Sequence, residues 1–353
     1  MPDDARAPFR SDDGIAEPLL RTAGLTRHFR VGGVFGKTLH AVDDVDLDIK
    51  EGEIVALVGE SGSGKSTVAR LLARMYRPTK GAIWFAGRDI SKISSRKDLL
   101  AYRRHVPMVF QDPFSSLNPV HTIGYMMRRG LRLHRPELNR TAREAVAVEA
   151  LETVGLVPGA ATMSKFPHEL SGGQRQRVGF AQAISWRPLL ILADEPVSML
   201  DVSLRIGVLN LMIGLREKGI SLLYITHDIA SARYVADRVV VMYAGHVVEI
   251  GPTEDVLHQP AHPYTRVLLS AVPDPRARTK IAAADIGEPP RVLEPGEGCR
   301  FRWRCPLAVD RCWTVTPRLV VTSQGHEAAC HVTAGTTPGS GDLAALPRDG
   351  HDT

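Results

Sequence analysis

Short apolar runs separated by polar turns begin at Leu19. Residues 45–49 (VDLDI) alternate apolar and polar and predict a half-buried strand, while 53–58 (EIVALV) predicts a more buried one. Helical spacing runs from Thr67 to Met75. The turn Pro78-Thr79-Lys80-Gly81 then leads into a strand at 81–85. Residues 121–165 differ in kind: their periodicity is helical, clearest over 140–154, and 128–143 is rich in arginine. A helix at 173–185, a strand at 189–193, a helix at 202–218 and a strand at 221–226 follow. The apolar stretches 238–242 and 246–250 flank Ala244-Gly245 and predict a hairpin. Alternating strands and helices predict an α/β fold on a parallel sheet covered on both faces, with the helical block inserted as a subdomain.

The glycine cluster Gly59-Glu60-Ser61-Gly62-Ser63-Gly64-Lys65-Ser66 sits between a buried strand and a helix. It fits G-x-x-x-x-G-K-[ST], where backbone N–H groups and a helix N-terminus surround phosphate oxygens. Gly62 and Gly64 permit close backbone approach, Lys65 reaches the β and γ phosphates, and Ser66 can ligate Mg²⁺ beside Thr67. Downstream, Asp194 and Glu195 end the buried strand Leu190-Ile191-Leu192-Ala193. Asp194 is spaced for a Mg²⁺ shell, and Glu195 could polarise an attacking water.

Composition narrows the classes further. With 44% hydrophobic and 24% charged residues the chain reads as globular, and its net charge of +5 is weak evidence for a polyanionic partner. No run of eighteen apolar residues exists, so no segment predicts a membrane span. The acidic start lacks an apolar h-region, which speaks against a secretory signal and for the cytoplasm. Residues 1–18 read as a frayed leader, 272–298 as a Pro- and Gly-rich linker, and 333–353 as a disordered tail.

All four cysteines, Cys299, Cys305, Cys312 and Cys330, lie within 32 residues. Four thiolates suit tetrahedral zinc or a [4Fe–4S] cluster, although the spacing matches neither paired zinc motifs nor bacterial ferredoxins. Arg300, Arg302, Arg304 and Arg311 would offset the charge of such a site.

Leu170-Ser171-Gly172-Gly173-Gln174 resembles the signature of ATP-binding cassette (ABC) ATPases, and the resemblance covers 19–271, with a helical subdomain at about 112–186. Ser171 and the glycines would expose N–H donors at a helix start, a second anion site. In that family the signature meets the γ phosphate held by an opposite subunit, so two cassettes sandwich two nucleotides. The resemblance implies that Gln111 senses Mg²⁺ or water, that Asp201 lies on the loop crossing the dimer seam, and that His227 contacts the γ phosphate and orients Glu195. It also implies an aromatic stacked on adenine, Phe29 or alternatively Phe35. Gln182 departs from the family's usual Arg; Val197 and Met199 replace the common Thr and Ala. No catalytic group is lost.

Residues 262–273 (HPYTRVLLSAVP), with Gly298-Cys299-Arg300-Phe301, Arg304-Cys305-Pro306, Gly325-His326 and Ala329-Cys330-His331, resemble the C-terminal extension of oligopeptide and dipeptide importer ATPases. There the cysteines are associated with an iron–sulfur cluster, and here the cluster is expected to staple a poorly cored segment packed beyond the cassette. Residues 29–42 resemble the second of two nonidentical ATPases in such importers. The resemblance implies ATP and Mg²⁺ as cofactors, two transmembrane permeases, a paralogous ATPase and a solute-binding protein as partners, and a place on the cytoplasmic face of the cell membrane. Nucleic acid is not expected. The alternatives are a soluble ABC ATPase acting on ribosomes or DNA through 128–143, or the same engine serving nickel, glutathione or oligosaccharide.

Overall fold

Strands of alternating burial organise the molecule. In the computed structural model, which describes residues 17–32, 36–112, 117–270 and 292–333, the chain contributes twelve described strands. These are β1 (Leu20–Val31), β2 (Lys37–Ile49), β3 (Ile54–Val58), β4 (Lys80–Phe85), β5 (Arg88–Asp89), β6 (Met108–Val109), β7 (Leu190–Asp194), β8 (Ser221–Thr226), β9 (Arg238–Tyr243), β10 (His246–Pro252), β11 (Val320–Ser323) and β12 (His326–Ala328).

β3, β7 and β8 are buried at every position, as strands covered on both faces must be. Successive residues feed two different cores. Ile54, Ala56 and Val58 join one with Ile191, Leu222 and the helices of the inserted block; Val55 and Leu57 join the other with Leu190, Leu223 and the helix Lys65–Leu72. A β-branched or leucine side chain fully removed from water contributes roughly 1.5–3 kcal/mol, so this double burial anchors the strand ends that carry the polar chemistry.

The sheet runs β11-β12-β10-β9-β3-β8-β7-β6, parallel from β9 to β6 and antiparallel from β9 through β10 and β12 to β11. It is therefore mixed, not wholly parallel. The hairpin expected at Ala244-Gly245 forms between β9 and β10, and β12 of the cysteine-containing extension adds to it. A second sheet, β2-β1-β4-β5, is antiparallel and has no counterpart in the sequence reading. Register shifts interrupt the β1–β2 ladder between Thr22 and Leu25, Leu25 and Arg27, and Arg27 and His28, so long half-exposed strands lose a clean period of two. The alternation seen at 45–49 is only the end of the thirteen-residue β2.

The inserted block consists of helices Ile123–His134, Arg140–Thr153, Gly159–Ser164 and Gly172–Ser185. Its arginine-rich part folds on the first two, where Arg128, Arg129, Arg132, Arg140 and Arg143 surround a cavity of about 280 Å³. Residues 1–16, 33–35, 113–116, 271–291 and 334–353 lie outside the described residues, and with them most of the leader, most of the linker, the tail and Phe35. Residues 292–294, at the end of the expected linker, run beside β2: His40 N–H donates to Val292 O and Glu294 N–H to Thr38 O.

Candidate nucleotide site

The loop between β3 and the helix Lys65–Leu72 turns through backbone that only glycine adopts without strain. Gly59 has φ +153° and Gly64 φ +104°; a Cβ on either would lie 2.2 Å from Met242 O or 2.3 Å from Ala41 O. Gly64 caps the helix with no side-chain hydrogen bond, which leaves the first-turn N–H groups open to an anion. Lys65 curls back into the loop, its Nζ donating to Gly59 O at 2.7 Å, Glu60 O at 2.8 Å and Ser63 Oγ at 3.3 Å. Burial pushes its ammonium down to about 8, with Glu195, Asp194 and Glu60 pulling the other way. Ser61 is exposed, Gly62 stands in open space, and Thr67 occupies the first helical turn.

Ser66 Oγ donates to Asp194 Oδ1 at 2.9 Å across from the end of β7. Asp194 is 4% exposed, and burial raises its pKa despite Ser66. A carboxylate destabilised by desolvation beside a hydroxyl suits a hard cation, so the pair fits Mg²⁺.

One residue on, Glu195 adopts φ +45°, a left-handed conformation that costs a non-glycine residue of order 1–3 kcal/mol. Its N–H is held by Ile225 O at 2.9 Å, and its carbonyl accepts from Ser198 Oγ at 3.0 Å. Two side chains converge on its Oε2: Gln111 Nε2 donates at 3.1 Å, and His227 Nδ1 lies at 3.3 Å. Gln111 follows β6 and His227 follows β8, so three strand ends bring together residues distant in sequence. His227 is 57% exposed and Glu195 16%, which leaves the imidazole facing solvent beside a sheltered carboxylate.

The signature residues form a helix start. Ser171 Oγ accepts from Gln174 N–H at 3.3 Å, and Gln174 Oε1 accepts from Ser171 N–H at 3.0 Å. Both are exposed; Gly172 is half-buried, and buried Gly173 packs against Leu204. Asp201, also exposed, caps the helix Val202–Glu217 through Leu204 N–H at 3.0 Å. Phe29 meets Tyr76 edge-on at 5.5 Å, and Arg27 covers one face of its ring at 4.6 Å.

The cysteines lie together in the extension. Cys299 N–H donates to Cys312 O at 2.7 Å, and the other three thiols each bear on Cys305. Burial pushes the Cys305 thiol up to about 11 and raises Cys299. No three of the four sulfurs approach within 4.8 Å, whereas ligands at Zn–S ≈ 2.3 Å in a tetrahedron stand about 3.8 Å apart.

Two of the four arginines expected to balance the cysteines, Arg300 and Arg304, pair with carboxylates of the cassette instead. Arg300 binds Asp43 at 2.5 Å and Ala244 O, and Arg304 binds Glu60 of the glycine loop. Arg302 donates to Cys299 O at 2.9 Å and lies over the Trp303 and Trp313 rings. The extension therefore packs on the cassette and does not stand beyond it. Glu249, fully buried, accepts from His326 Nε2 at 2.7 Å; Phe301 meets Tyr243 and Tyr264. Sequence reasoning missed the contacts of Glu60 with Tyr264 and Arg304, since no spacing pairs residues 204 and 244 positions apart. It also missed His28, His40 and Asp43, the one three-residue set of metal-type ligands within 4.8 Å among the described residues, where Arg300 already holds the carboxylate.

The family model for ABC transporters matches residues 42–198, and that for the oligopeptide/dipeptide transporter C-terminal region matches 248–312. A Brucella ovis chain described as a peptide import ATP-binding protein is 45% identical over 318 residues, covering 89% of this chain and 97% of its own. The oligopeptide transport ATP-binding protein AppF of Bacillus subtilis is 41% identical over 324 residues, covering 90% and 98%. Among solved structures, the ATP-binding cassette MJ0796, a dimer in a post-hydrolysis state bound to ADP and Pi, superposes with TM-score 0.59 at 29% identity, covering 66% of this chain and 98% of that one. The phosphate loop, the strand-end carboxylates and these likenesses agree: the chain belongs to the ATP-binding subunits of ABC transporters, in the branch bearing the oligopeptide/dipeptide transporter C-terminal region.

Proposed function

We propose that this chain hydrolyses ATP to drive import of oligopeptides or dipeptides, working at the cytoplasmic face of the cell membrane. The observation that carries the catalytic reading is the convergence of Gln111 and His227 on Glu195 Oε2, beside the Ser66–Asp194 pair. The cargo reading rests on the peptide-transport descriptions of relatives matched along nearly their whole length. No helix among the described residues is long and apolar enough to cross a membrane, so the pathway belongs to partners: two permeases, a nonidentical ATPase and a solute-binding protein.

Catalysis here is positioning and electrostatics. The loop 59–66 and the open helix start bind the phosphates, and Lys65 exchanges its three loop acceptors for phosphate oxygens. Ser66, Asp194 and Gln111 would hold Mg²⁺, which supplies charge neutralisation. Glu195 takes the proton of the attacking water; Gln111 and His227 hold its Oε2 and so fix the direction of the carboxylate. Ser171, Gly172, Gly173 and Gln174 present their helix start to the nucleotide of the paired subunit, with Asp201 at the seam and Phe29 on the base. The four cysteines would hold a [4Fe–4S] cluster, with zinc the alternative; the likeness of the extension to the oligopeptide/dipeptide transporter C-terminal region supports this reading.

Glu195→Gln is expected to bind ATP as the parent does while the assembled transporter loses turnover by about 10²–10⁴, the scale of one positioned general base. Unchanged turnover would remove Glu195 from the mechanism.

A further inference from the structure

The second residue of the phosphate loop is tied to the far end of the chain. Glu60 Oε2 accepts from Arg304 Nη1 at 2.8 Å, and Oε1 from Arg304 Nη2 at 2.9 Å. Arg304 Nη1 also donates to Tyr243 OH at 3.2 Å. The pair is well sheltered, its side chains 11% and 24% exposed. The main chain of Glu60 is held as firmly: its N–H donates to Tyr264 OH at 2.9 Å, and its carbonyl accepts from Lys65 Nζ at 2.8 Å. Tyr264 and Tyr243 both contact Phe301, three residues before Arg304.

This arrangement has an electrostatic consequence. The Glu60 charge reaches Lys65, the cation of the cradle. Alone, a carboxylate at that point would oppose a triphosphate entering the same loop. A bidentate guanidinium cancels the charge and fixes its direction. The arginine comes from the turn Arg302–Arg304, bounded by Cys299 and Cys305, so the folded extension delivers it.

We propose that Arg304 is a positioning residue of the nucleotide site: from the C-terminal extension it holds the Glu60 side chain and neutralises a carboxylate that would repel the triphosphate. The inference rests on the reading of residues 59–66 as the triphosphate cradle. It makes the extension part of the ATP site, and it predicts an asymmetry between the two partners. Removing the arginine leaves a bare negative charge beside the phosphates; removing the carboxylate leaves none.

The test is equilibrium binding of a non-hydrolysable ATP analogue with Mg²⁺ to the full-length chain. Arg304→Gln is expected to weaken binding about tenfold, as coupled charged neighbours commonly do. Glu60→Gln is expected to lose less affinity than Arg304→Gln, and Glu60→Gln added to Arg304→Gln should recover most of the loss. A purely architectural role for Arg304 cannot produce that rescue, because the double variant would bind as weakly as Arg304→Gln alone. That result, or a folded Arg304→Gln with parental affinity, overturns the proposal. Should Arg304→Gln not fold, Arg304→Lys keeps the charge but loses the fork, and a loss of about two- to fivefold is expected; parental affinity overturns the proposal there too. Lys65→Ala separates this inference from the one beneath it. If Lys65→Ala binds like the parent, the cradle reading fails; if it alone weakens binding, that reading stands and the role of Arg304 falls.

Discussion

Lys65 is buried among three acceptors of its own loop, and burial has brought its ammonium down to about 8. Phosphate oxygens require the protonated form. Below about 8 the free site already carries that proton, and above it each bound nucleotide must first restore the proton. Affinity for ATP should therefore be nearly level just above neutral pH and then fall by up to about tenfold per unit above pH 8. Lys65→Ala should bind weakly throughout and show no such break. A profile without a break in the parent chain, measured where the triphosphate is fully ionised, would exclude Lys65 as its source. The same residue-level logic explains Glu195. Its strained φ of +45° is held by Ile225 O and Ser198 Oγ, and the strain aims its carboxylate at Gln111 and His227.

Among the elements, the β9–β10 hairpin does the joining. β9 pairs with β3 directly behind the phosphate loop, while β10 pairs with β12 of the extension. At the centre of that join Glu249 is fully buried and accepts from Ala261 N–H at 2.7 Å, His262 N–H at 2.9 Å and His326 Nε2 at 2.7 Å. Removing the acceptor leaves two buried groups and one half-buried N–H without it, and breaking a buried network of this kind costs about 3–5 kcal/mol. Glu249→Ala is expected to lower unfolding stability by that amount in urea titration and to make the extension the first site of proteolytic cleavage. Parental stability would mean that water or relaxation replaces the lost carboxylate.

On the scale of the whole molecule, the extension closes over the cassette instead of trailing from it. Arg300 to Asp43, Arg304 to Glu60, His326 to Glu249 and the Phe301 ring between Tyr243 and Tyr264 make four separate attachments. A cluster on the four cysteines would thus stiffen a segment already bound to the nucleotide domain. Burial keeps Cys299 and Cys305 as thiols unless a metal draws off their protons. Anaerobic purification followed by analysis should return about four irons and four sulfides per chain, as one [4Fe–4S] centre requires. One zinc per chain would replace the cluster with a thiolate ion site, and freely titratable thiols without either would leave plain structural cysteines.

Local patterns determined much of this protein. The run of apolar residues before Gly59, the glycines of the loop and the apolar strand before Asp194 each state their conformation within a few residues, because steric and periodic constraints act at short range. The helices of the inserted block follow from a period close to 3.6, and the hairpin follows from Ala244-Gly245 between two apolar runs. The bulged ladder of β1 with β2 was illegible, since each register shift moves later side chains to the other face and erases alternation. The resemblance named Gln111, Glu195 and His227 together, yet only three strand ends side by side put their atoms about 3 Å apart. The sequence also presented Arg304 as a neighbour of Cys305, with charge to balance it. Tertiary structure decided otherwise: a flexible side chain pairs with whatever carboxylate the fold brings near, and the fold brings Glu60.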